Sequence, residues 1–143
     1  MFNTVLLTVD LNEEASWAKA LPQAVELVKA SKGELHIMSV VPDFGSPMVE
    51  GFFPADFEEK ALAKAELELE TLIAEQVPKG VKATPHIAYG RIHNKVLTAV
   101  EEIGCDLVVM ASHAPDRVRE FLVGSNADRV VRRSPVSVLV VRG

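Results

Sequence analysis

Apolar residues in this chain fall into two kinds of pattern that alternate along it. Dense runs such as Val5-Leu6-Leu7, Leu107-Val108-Val109-Met110 and Val138-Leu139-Val140-Val141 leave no polar face, which suits parallel strands buried on both sides. Between them lie segments whose apolar residues recur every three or four positions, the stripe of an amphipathic helix. In order, the pattern predicts a strand over Thr4–Asp10, a helix over Ala15–Ala30 and a strand over Glu34–Val41 stopped by Pro42. A long helix over Asp56–Gln76, a strand over Val81–Tyr89 and a helix over Ile92–Ile103 follow. A strand over Asp106–Met110, a helix over Ser125–Arg133 and a strand over Val136–Val141 complete the series. In the first helix Pro22 is expected to introduce a bend and Gly33 to mark the end. The face of the second helix that carries Lys64, Glu66, Glu68 and Glu70 reads as solvated surface rather than a binding signal.

Strands alternating with helices in this way predict an α/β fold, a doubly wound five-stranded parallel sheet with helices on both faces. Pro85 cannot donate to a ladder and so marks the third strand as an edge. The order 3-2-1-4-5 satisfies that and opens a topological switch between the first and fourth strands, where such sheets take ligands. One segment stands outside the alternation: Asp43–Ala55, with Phe44, Met48, Phe52 and Phe53, is long for a loop and reads as a flap or an oligomer contact.

Composition narrows the class. A length of 143 residues, 48% hydrophobic and 24% charged, fits one soluble globular domain. No apolar run approaches the ~20 residues of a membrane span, and the chain enters its first strand without a basic leader, so no membrane partner is expected. Cys105 is the single cysteine, which excludes an internal disulfide and suits a reducing compartment; the expected location is the cytoplasm. A net charge of −5 argues against nucleic acid, whose partners need a basic face. Arg117, Arg119, Arg129, Arg132 and Arg133 do gather in the last third, mostly as solvated residues, with one or two available to a phosphate.

Candidate chemistry concentrates between Asp106 and Arg133. An apolar strand runs into Ala111-Ser112-His113-Ala114-Pro115-Asp116, and Gly124-Ser125-Asn126 then open a helix. Unpaired N–H groups and the helix dipole make such a start an anion site. Ser125 with Asp128 is equally an S-x-x-D capping box that closes the helix on itself, and both readings stay open. Asp10 at the end of the first strand is either a turn residue or a ligand contact. His36 reads as a structural strand residue. Arg91 and His93 at a helix start read as exposed polar residues, with an anion contact as the alternative. The sequence carries neither G-x-x-x-x-G-K-[ST] nor the H-x-G-H and S-G-G-x-D-S motifs of nucleotide-processing enzymes. His113 and Asp116 could orient water or Mg²⁺, but orienting groups without an electrostatic clamp leave phosphoryl transfer slow.

The Ala111–Asn126 stretch resembles the nucleotide loop of the universal stress protein family, G-x-x-G, nine residues, then G-[ST]. Ala111 and Ala114 stand at the leading glycine positions and Gly124-Ser125 match the closing pair. An alanine forced into the left-handed region would cost about 1–2 kcal/mol. A-S-H-x-P-D with L-x-G-S-N-A is similar to the family's F-type variant, which resembles ATP-binding members without those glycines. The resemblance covers the whole chain and implies an adenine-nucleotide-binding regulatory or sensor module. It implies ATP, or AMP or ADP in its place, accompanied by Mg²⁺, with at most weak hydrolysis. The implied contacts are Thr8, Val9, Asp10 on the ribose, Val40 and Val41 at the adenine edge, and Met110, Ala111, Ser112, His113, Ala114, Gly124, Ser125 and Asn126. It further implies a homodimer through the unguarded edge strand Val136–Val141, or a tetramer built from it. Two other classes compete: an ATPase or nucleotidyl-transfer enzyme on the same scaffold, and a nucleotide-free interaction protein whose loop Ala111 and Ala114 have closed.

Overall fold

The computed structural model of the chain describes residues 2–42, 56–112 and 125–142. Its elements, in order, are β1 (Thr4–Thr8), a 3₁₀ turn (Glu14–Ser16), α1 (Ala20–Ser31), β2 (Glu34–Pro42), α2 (Phe57–Gln76), β3 (Ala83–Gly90), α3 (Ile92–Ile103), β4 (Leu107–Ser112), α4 (Ser125–Arg133) and β5 (Ser137–Arg142). The strands form one parallel sheet in the order β3-β2-β1-β4-β5. The expected loop over Asp43–Ala55 lies outside the described residues.

Strand periodicity divides the core into two layers. Val5, Leu6 and Leu7 are completely buried, because successive side chains of a central strand enter opposite faces. Val5 and Leu7 pack with Leu21, Val25 and Val28 of α1 and Leu69 and Leu72 of α2. Leu6 packs with Val96 and Val100 of α3 and Val130 of α4. Helices therefore cover both sides, as the dense apolar runs require. None of the described helices is long and apolar enough to cross a membrane.

Two local expectations change. The first helix begins at Ala20 rather than Ala15, and the residues before it form the 3₁₀ turn and a further turn. Pro22 explains the shift: a proline disfavours regular helix upstream of itself but fits the first turn, where its missing N–H is not needed. It starts α1 instead of bending its interior. At the other end the left-handed residue is Lys32 (φ 57°), not Gly33. Pro85 sits on the edge strand β3, opposite Ile37.

Candidate functional site

The residues needed for a site converge where β1, β2 and β4 end. Val9 N–H donates to Met38 O at 2.9 Å, prolonging the ladder one residue beyond β1 and fixing the position of Asp10. The chain then turns sharply. Asp10 Oδ1 accepts the N–H of Asn12 at 2.9 Å, and Glu13 N–H donates to Asp10 O at 3.0 Å. Ser16 Oγ accepts the N–H of Asp10 at 2.8 Å and shares its proton between Asp10 O and Glu13 O. Asp10 is thus a turn residue, and the turn is also what holds its carboxylate at the sheet's end. The turn reading of Asp10 is met, and the same arrangement is compatible with a ligand contact.

A crevice of about 480 Å³ opens there, within the range of small-molecule sites. Thr8, Val9, Asp10, Val40, Val41, Met110, Ala111, Ser125 and Asn126 all line it. Ser112, the buried last residue of β4 in register with Arg142, lies off its wall. His113, Ala114 and Gly124 lie outside the described residues, as do Asp116, Arg117 and Arg119. Ala111 pairs with Val141 as an ordinary strand residue. Lys32 is the one described non-glycine residue with positive φ, so the left-handed cost expected of an alanine does not arise at Ala111.

Charge is unequal across the crevice. Asp10, Glu13 and Glu68 line one side, with Lys64 3.7 Å from Glu68. On the other side α4 begins at Ser125. The Asp128 carboxylate accepts from Arg132 Nε at 3.1 Å, a partner one turn further into α4. Behind that start lies His93, which is buried and not the exposed residue the sequence suggested. The second position of α3 turns it toward α4. Burial holds its imidazole below the usual histidine value, and Arg129, Arg133 and Arg91 push the same way, against a hydrogen bond with Asn126. This flank is cationic without a charge on His93.

Sequence reasoning missed the α2 wall. Ala61, Lys64, Ala65 and Glu68 line the crevice, although Lys64 and Glu68 read as solvated surface. Both views describe the same residues, because these side chains stand at the lip, exposed and facing the opening. The available signal was the pairing of two small residues with two charges at helical spacing, on the border between wet and dry faces.

Comparison with known proteins gives the same architecture a lineage. The universal stress protein family matches residues 1–142. Universal stress protein G of Escherichia coli O157:H7 is 32% identical over 145 residues, spanning 99% of this chain and 100% of that protein. The solved structure of MJ0577, a universal stress protein of Methanocaldococcus jannaschii, superposes with a TM-score of 0.75 at 26% identity, covering 100% of this chain and 97% of that one. A universal stress protein solved in complex with cAMP shares the fold at a TM-score of 0.63 and 20% identity, over 99% and 97% of the two chains. By sequence and by fold, this chain belongs to the universal stress protein family.

Proposed function

We propose that the chain is an adenine-nucleotide-binding regulatory module of the F-type branch, working in the cytoplasm as a homodimer. The observation that carries this reading is the polarity of the crevice: carboxylates at the β1 turn on one side, and a helix start backed by Arg91, Arg129 and Arg133 on the other. A ligand with a hydroxyl-rich neutral end and an anionic end fits that polarity. The ribose lies against Asp10, the adenine edge along Val40-Val41, and the phosphates at Ser125-Asn126, where helix N–H groups favour anions. The solved relative with cAMP makes adenine nucleotides the class to try first.

Mg²⁺ would ride on the phosphates, since it commonly keeps waters and phosphate oxygens as ligands.

Calorimetry on nucleotide-free protein with Mg²⁺ tests the assignment. ATP should bind saturably, and Asp10→Ala should weaken it by about 1–3 kcal/mol, the scale for losing a hydrogen bond to a charged group. No heat at millimolar ATP would reject the site and favour the nucleotide-free interaction protein.

A further inference from the structure

Away from the crevice, the start of the β2–β3 ladder carries an arrangement that packing does not require. His36 lies on β2 and His86 on edge strand β3, where Met38 pairs with His86. Strand alternation puts both rings on the side of Met38, the side covered by α3. Their Nδ1 and Nε2 atoms are 2.8 Å apart. The ring centroids are 5.0 Å apart with planes inclined by 31°, close to the largest separation a contact that short allows. The two nitrogens therefore meet head-on, with the lone pair of one facing the proton of the other. Two metal-ligating imidazoles would instead aim both lone pairs at a third point.

We propose that His36 and His86 form a proton-sharing clasp that fastens edge strand β3 to β2 near neutral pH and lets it go in acid. The neighbouring groups define the proton's place. Glu34 Oε2 lies 3.4 Å from His36 Nε2, and Lys82 Nζ lies 3.7 Å from the other carboxylate oxygen. A carboxylate only accepts, so the neutral His36 carries its proton on Nε2. Its bare Nδ1 then accepts the Nε2–H of His86. One added proton leaves that bond in place, because the facing Nδ1 and Nε2 still hold a single proton between them. A second must go to whichever facing nitrogen is still the acceptor, after which two N–H groups and two positive charges face each other. α3 brings Val96, Ala99 and Val100 to this side, and the charge acting on His86 is that of His36.

Burial, and then His36, hold His86 below the ordinary histidine value of about 6.5. In the window between the lowered value and that ordinary one, the unfolded chain binds more protons than the folded chain. The clasp's contribution is complete above the window and declines as pH falls through it. Strand β3 is where the loss should appear, because an edge strand has a partner on one side only.

Amide hydrogen exchange at pH 7.5 and pH 5.0, normalised for intrinsic rate, tests this on the intact protein. Protection of residues 83–90 should fall in acid by about tenfold for each pH unit by which His86 is held below its ordinary value, while that of β5 stays constant. His86→Phe should remove the pH dependence. Should that variant not fold, imidazole ¹⁵N spectra of the unaltered protein decide alone. Nitrogen–nitrogen coupling between the rings at pH 7.5, with His86 titrating late, supports the clasp. Two rings titrating independently at ordinary values, or equal protection of β3 at both pH values, overturn it.

Discussion

A Cβ built on Gly33 would lie 2.8 Å from the carbonyl carbon of Asn3 and closer still to its oxygen. That oxygen accepts the N–H of Glu34 at 2.8 Å, so neither strand can retreat without breaking the first rung between β1 and β2. Gly33→Ala should therefore destabilise the fold by about 1–3 kcal/mol, the usual cost of overpacking, measured as a lowered urea midpoint with unchanged slope. Gly33 was legible as punctuation, but its reason was not: the left-handed turn belongs to Lys32, and the glycine is needed for close approach. Lys64 invites a different test. Its pairing with Glu68 at 3.7 Å is solvent-exposed, where ion pairs contribute about 0–1 kcal/mol, so Lys64→Ala should leave stability nearly unchanged. Lys64 stands on the carboxylate side of the crevice, across from the proposed phosphate position at Ser125-Asn126, so the same change should alter ATP affinity by no more than about twofold to fivefold and adenosine affinity to the same extent. A loss confined to ATP would place the phosphates on the α2 side instead.

At the scale of elements, edge strand β5 makes the strongest demand. Val138, Leu139 and Val140 are each only partly buried, and β5 has β4 as its one partner in the sheet. An apolar edge of this kind is a template for pairing, and a second β5 across a two-fold axis would cover it. Val140 belongs to neither described core cluster, whereas Val138 packs on the α3–α4 side. Val140→Lys is therefore the cleaner substitution: it should shift the proposed dimer toward monomer in sedimentation while leaving the melting profile of the monomer largely intact. A wild-type monomer at micromolar concentration would remove the interface. Element types were legible because period-2 and period-3.6 patterns are physically distinct, and Pro85 fixed one edge. Boundaries were less so. The start of α1 depended on a single proline, and the strand expected from Asp106 begins one residue later because the Asp106 carboxylate serves as a cap, accepting N–H groups of Asn3 at 2.9 Å and Thr4 at 3.1 Å.

Seen whole, the sheet's order 3-2-1-4-5 is one that an edge Pro85 and the rule that parallel crossovers keep one hand allow rather than dictate. Most of the crevice was legible with it, because a switch point needs only the order of strands to be located. Its α2 wall was not, since the tilt of a helix over a sheet is set by packing that no local pattern records. Placing β1 in the middle of the sheet has a further consequence. It is made first among the strands of this chain, yet one of its neighbours, β4, is made about a hundred residues later; Asn3 and Asp106 are 103 positions apart. At about 5–20 residues per second, the ribosome leaves that side of Val5-Leu6-Leu7 uncovered for several seconds, with β2 available on the other. A nascent chain stalled before Leu107 thus holds the sequences of β1, β2 and β3 but lacks β4, the second neighbour of β1, and is expected to be a better chaperone client than one that has passed Arg142.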